Sequence, residues 1–199
     1  MQQRIETIEP ILAPAGAGLP KAENFLLRHI VVPMGAAAMP WNLALRAFQH
    51  EGRKVLALAK DIAPDLLTQR ILVPRLIAME DSSRYWSVVM AMRHLIIVGE
   101  EIGSIIVQLS QGQHCTSVLG IATSKPEADT QVAVLDDFRV ILERFAQRMS
   151  TDVGDRRSAH THEHPWLGPL TAHQWLCLAG VHQRLHRRQI KMIVKGLGK

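Results

Sequence analysis

Only two cysteines, Cys115 and Cys177, occur in the 199 residues. Two thiols without a Cys-X-X-Cys spacing supply neither a disulfide framework nor a zinc ribbon, and a reducing cytoplasm is the default compartment for such a chain. Aromatic residues are also scarce, at 5%, with a single tyrosine. Asn-Gly turns are missing and no stretch alternates cleanly between apolar and polar residues, so strand signals are weak. No apolar run approaches the roughly 18 residues that a membrane span needs, so no membrane partner is expected. Residues 1–9 carry Arg4, Glu6 and Glu9 instead of an apolar stretch, which predicts no secretory leader. A Walker loop, a Rossmann glycine pattern and a Gly-X-Ser-X-Gly elbow are all lacking.

Acidic residues are absent from the last 36 positions, whereas residues 1–163 hold all 18 acids and 17 of the 23 basic residues. A nucleic-acid role would therefore rest on Arg184, Arg187, Arg188, Lys191 and Lys195 alone. No aromatic residues interleave with them. This set reads instead as the solvated face of an amphipathic helix, with cations near the C-terminal end where the helix dipole favours them. No nucleic-acid partner is expected.

What is present is an ordinary folded composition, 47% hydrophobic and 21% charged, and the periodicity of helices. The fold class expected is all-α, a four-helix bundle with an N-terminal extension. Residues 1–36 form the extension, punctuated by Pro10, Pro14, Gly16, Gly18 and Pro20, with a short helix over residues 21–32 stopped by Pro33. Residues 37–199 form the bundle domain. Its first helix spans residues 41–62, with Trp41, Leu45, Phe48, Gly52, Val55, Ala59 and Ile62 on one stripe. The second starts near Ser82 or Ser83 and stops at Gly112. It is apolar on nearly every side, so it is either the bundle's centre or a surface covered by a second subunit. On the latter ground a homodimer is expected. The third spans about 129–150, with Leu135, Phe138, Leu142, Phe145 and Met149 in register. The fourth starts at Thr171 in a capping box with Gln174 and runs to about residue 194. The second-to-third and third-to-fourth connections are long enough for at least one to cross an end of the bundle.

The chain holds 10 histidines. His182 and His186 are four apart on the fourth helix, but chance alone supplies about half a pair at that spacing, so spacing decides nothing. Their surroundings decide more. Trp175, Leu178, Ala179, Leu185, Gln189 and Ile193 lie within about 60° of His182 on the wheel, and the basic residues lie opposite. Two imidazoles thus project from a buried stripe, where unpartnered they would cost several kcal/mol. A divalent metal satisfies both and keeps them neutral; two core histidines bonded to carboxylates or water are the competing reading. His94, mid-way along the second helix, is the best third ligand, with Glu101 seven residues on as an orienting group or base. A core His94 bonded to Glu101 is the alternative there. His50 sits among Arg46, Arg53 and Lys54, and His173 points about 180° from His182. The segment His160-Thr-His162-Glu-His164 reads as a solvated loop. Cys177 falls on the basic side of its helix. The absence of Glu after His182 disfavours a zincin protease.

Ser82-Ser83-Arg84-Tyr85-Trp86-Ser87 followed by His94-Leu95 resembles the second helix of the DinB-like (DinB/YfiT) superfamily. His164-Pro165-Trp166-Leu167-Gly168-Pro169-Leu170-Thr171, then Trp175, His182, His186 and Gln189, resembles its fourth. The likeness covers about residues 40–196. It implies a four-helix bundle of unusual connectivity holding one divalent ion, nickel or zinc, through His94, His182 and His186. It also implies a metal-dependent activity of the thiol-dependent S-transferase or hydrolase type, with a small-molecule partner such as a low-molecular-weight thiol; three protein ligands would leave open metal positions, and Glu101, from its place on the helix, is the candidate catalytic residue. The alternative is a non-catalytic bundle whose metal or histidines are structural and which acts as a binding protein. Residues 1–36 and the His160–His164 segment lie outside the pattern.

Overall fold

The computed structural model describes residues 9–116 and 120–198. α1 (Lys21–Leu26) passes through a π turn, Leu27–Val31, into α2 (Val32–Ala38). The long helices are α3 (Trp41–Ala59), α5 (Val88–Ser110), α6 (Val134–Thr151) and α7 (Ala172–Gly196), and α4 (Pro64–Leu67) is a single turn. Two short antiparallel ribbons complete the fold. One is β1 (Ile71–Leu72) with β2 (Tyr85–Trp86); the other is β3 (Thr161–His164) with β4 (Gly168–Thr171).

α7 packs against α3 on one side and α5 on the other, and α6 closes the ring between α5 and α3. The architecture is a four-helix bundle. Of the helices joined directly in sequence, α5 and α6 are neighbours, whereas the α3-to-α5 and α6-to-α7 connections cross the bundle's diagonals. The expected crossing therefore falls on the third-to-fourth connection, and a second one on the first-to-second.

α5 is buried along most of its length. Val89, Leu95 and Ile96 are 0%, 1% and 4% exposed, each contributing about 1.5–3 kcal/mol by burial. The apolar surface for which a second subunit was expected is thus covered within the chain. Phe48 of α3 stacks on Phe145 of α6 with centroids 3.9 Å apart. The predicted stripes of α3 and α6 are buried at Trp41, Phe48, Val55, Phe138, Phe145 and Met149, while Leu45 and Leu135 are half-buried.

The capping box is present, with the Thr171 hydroxyl accepting from the Gln174 amide and the Gln174 side chain accepting from the Thr171 amide at 2.9 Å. Gly112, at φ +73°, ends the second long helix as expected, because this left-handed position suits glycine. Several boundaries differ from the sequence reading. α5 starts later, at the N-cap Ser87, whose hydroxyl accepts from the Met90 amide at 3.2 Å; Ser82 and Ser83 lie in a 3-10 turn before it. α6 starts at Val134 rather than near 129, after turns at Thr130 and Val134. Pro33 does not stop the first helix. It falls at the start of α2, just past the π turn, and wider winding absorbs its missing N–H. The His160–His164 segment, read as a solvated loop, instead supplies the first strand of the β3–β4 hairpin, in which His164 pairs with Gly168. Among the described residues no helix is long and apolar enough to cross a membrane.

Candidate metal centre

His94 from α5 and His182 and His186 from α7 converge on the seam between these helices. One ligating atom from each lies within 4.8 Å of the others. His182 Nε2 is 3.2 Å from His94 Nε2 and 3.1 Å from His186 Nε2. The outer nitrogens are held from behind. His94 Nδ1–H donates to the Ser124 carbonyl at 2.7 Å, and His186 Nδ1–H donates to Gln189 Oε1 at 2.7 Å. Gln189 in turn donates through Nε2 to the Ser83 carbonyl at 2.6 Å. With the Nδ1 protons so placed, His94 and His186 both present an Nε2 lone pair inward. His182 can donate one Nε2 proton to only one of them, so the two lone pairs compete for a single proton and one close contact stays unsatisfied. A cation among the three removes that conflict. Ligands about 2.0–2.1 Å from a tetrahedral ion stand about 3.3 Å apart, close to the spacing observed. The donor set fits a divalent metal.

Burial favours the ligating state. It lowers His94 from 6.5 to about 4 and takes His182 and His186 well below their ordinary value. All three are neutral at pH 7. Trp86 of β2 packs on two of the rings, its centroid 5.1 Å from His94 and 5.9 Å from His186.

The centre opens into a cavity of about 90 Å³ lined also by Glu80, Lys125 and His164. Lys125 Nζ lies 3.0 Å from Glu80 Oε2 and donates to Ser83 Oγ at 2.9 Å. Burial pulls Lys125 down against the pull of Glu80. Burial pushes Glu80 up, but the bonds from Ser82, Gly18 and Lys125 prevail and hold it below the usual carboxylate value. Glu80 is therefore ionised and paired. His164 also belongs to this wall. Its Nδ1 accepts from the Trp166 and Leu167 amides at 3.1 and 3.3 Å, so its proton sits on Nε2. Burial lowers it to about 4.

Glu101 is half-buried. Among the described residues no hydrogen bond or ion pair joins it to the histidines, and it does not line the cavity; His94 bonds to Ser124 instead. His50 is exposed, and His173 Nε2 bonds to the Met39 carbonyl at 2.8 Å, away from the centre. Cys177 is buried, not on a solvated face, because α2 lies over that side of α7; burial pushes its thiol up to about 11. Arg187 pairs with Glu51, while Arg184, Arg188, Lys191 and Lys195 face outward. The sequence reading missed Ser124, Lys125 and Glu80 and named Trp86 only within the resemblance; all four sit in connections without periodicity. Gln189, three positions after His186 on the same face, carried a readable signal.

Comparison with protein-family models finds no match, and comparison with curated proteins finds none either. Among solved structures the chain is similar to TT2238, a four-helix bundle protein, at 21% identity, covering 76% of this chain and 98% of that one with a TM-score of 0.49.

Proposed function

We propose that the chain is a divalent-metal-binding protein of the DinB-like kind, with His94, His182 and His186 holding one nickel or zinc ion. We further propose a metal-dependent enzyme of the thiol-dependent S-transferase or hydrolase type, acting on a small molecule in the cytoplasm. The observation that supports this best is the convergence of three Nε2 atoms with one proton to share between two close contacts. Three protein ligands leave positions open, the arrangement of catalytic rather than closed structural sites. When bound, the metal would supply Lewis acidity, lowering the pKa of a thiol or water.

The chain's own residues do the rest. Ser124 and Gln189 fix the imidazole orientations and tautomers. Trp86 excludes water from one side of the rings. His164 presents an Nε2–H donor on the cavity wall. The paired Lys125 and Glu80 add almost no net charge to the cavity.

Elemental analysis of untagged protein tests the metal reading. Near-stoichiometric nickel or zinc in the wild type, lost in His94→Ala, is the expected result. A wild type that stays metal-free after loading refutes it. His182→Ala then separates catalysis from scaffolding: a folded, inactive variant supports an enzyme, and global unfolding supports a structural metal.

A further inference from the structure

The metal cavity continues into a second one of about 150 Å³, bounded by α7 on one side and by residues 19–39 on the other. The two share Ala78, His164, Trp166, Leu178, His182 and Leu185. The outer cavity is apolar on the side of the extension, where Leu27, Val32 and Ala36 line it, and no charged side chain lines it among the described residues.

This wall is fixed. Glu80 accepts from the Gly16 and Gly18 amides at 2.8 and 3.1 Å, and Asp81 accepts from Ala13 at 2.8 Å. Glu23 pairs with Arg75 and accepts from the Ala78 amide at 2.7 Å. The extension thus builds a pocket side, and the anchor at Glu80 also holds Lys125 beside the histidines.

We infer that the cavity between α1–α2 and α7 takes the apolar group of a substrate whose anionic head reaches the three-histidine centre. The inference rests on the metal reading. Three neutral imidazoles leave a divalent charge uncompensated, which selects an anionic donor such as a thiolate. The tail has a size: an apolar cavity of about 150 Å³ is what holds a benzene ring. It also has a polarity. The uncharged lining rejects a tail bearing ammonium or carboxylate groups, which would lose their hydration there. The substrate class is therefore a small thiol or similar anion bearing a neutral group of phenyl size.

The test uses the full chain loaded with cobalt(II), titrated with benzyl mercaptan and with 2-mercaptoethanol and followed by the thiolate-to-cobalt absorption band. Metal content is measured on the same samples. Each methylene-sized group buried is worth roughly fourfold in affinity, so benzyl mercaptan should bind at least about tenfold tighter. At Gly35, which lines the outer cavity, an added Cβ meets no atom within 4 Å. Gly35→Leu should fill the space, keep its metal and reduce the preference to about threefold or less. Equal affinities in metal-loaded wild type, or a preference that survives Gly35→Leu, would overturn the inference and leave the metal reading standing. Protein that takes up no cobalt would overturn the metal reading, and the inference with it.

Discussion

Acid should unfold the metal-free protein through its buried histidines, and the size of the effect follows from the structure. His94 is 8% exposed, and burial lowers it from 6.5 to about 4. His164 falls equally far for the same reason. Unfolded, each would titrate near 6.5. Between pH 6.5 and 4 the unfolded chain thus binds more protons than the folded one, so stability rises with pH across this window and is lost as pH falls through it. At roughly 1.4 kcal/mol per pKa unit, each histidine removes about 3 kcal/mol by pH 4. His182 and His186 act in the same direction. The two quantified groups together amount to about 6 kcal/mol, comparable with the roughly 5–15 kcal/mol that holds a domain folded. Urea unfolding of chelator-treated protein at intervals from pH 7.5 to 4.5 measures this. His164→Asn, whose amide oxygen can take over the Trp166 and Leu167 amides, should lose one histidine's share of the slope. Nickel or zinc at about a hundred times its Kd should raise the curve by about 2.7 kcal/mol. A stability flat between pH 6.5 and 4.5 would refute the reasoning, because it would mean that the folded state accepts the same protons as the unfolded one.

Three further outcomes are expected. Gln189→Leu removes the link from His186 Nδ1 to the Ser83 carbonyl and should weaken metal binding about 10–100-fold with the bundle still helical, read by competition with a chromogenic chelator. Gly52→Ala would drive a Cβ into the Leu142 side chain where α3 meets α6; overpacking there should outweigh the helix-propensity gain and cost about 1–3 kcal/mol in urea unfolding. Glu80→Ala deprives Lys125 and the Gly16 and Gly18 amides of their acceptor and should cost about 3–5 kcal/mol. It should also speed tryptic cleavage at Lys21 and Arg28, whereas an unchanged cleavage rate would show that the extension is anchored elsewhere.

The bundle was legible because burial writes itself at helical spacing. Trp41, Phe48, Val55 and Ala59 of α3 and Phe138, Phe145 and Met149 of α6 needed only the period of the helix. The same signal brought out His182 and His186, polar rings on a stripe with no surface to escape to. It did not reach the connections. Ser124 and Lys125 sit in an irregular stretch, and their roles come from a carbonyl and an ammonium that only the tertiary fold brings to the histidines. Pro33 misled because a proline stops a regular helix, and a π turn just before it was not foreseeable from propensity. His164 was read as solvated because alternation over four residues is too short to mark a strand; the hairpin with Gly168–Thr171 turns it inward.

The topology explains why those connections matter. His94 and His182 are 88 positions apart, and they meet because α7 returns to lie beside α5 after the α6-to-α7 connection has crossed the diagonal. Two long crossings put irregular chain around the ends of the bundle, and each connection contributes to the centre. The α3-to-α5 segment supplies Glu80, Ser83 and Trp86, the α5-to-α6 segment supplies Ser124 and Lys125, and the α6-to-α7 segment supplies His164 and Trp166. Helices joined by tight turns would offer the three imidazoles but little to orient, shield or neutralise their surroundings. Because the donors come from α5 and α7 and their supports from three separate connections, the centre forms only once the bundle has closed. Metal binding at this centre would therefore be coupled to tertiary folding rather than to any local segment. A peptide spanning α7 alone, which keeps His182 and His186 but not His94, should bind zinc far more weakly than the intact chain.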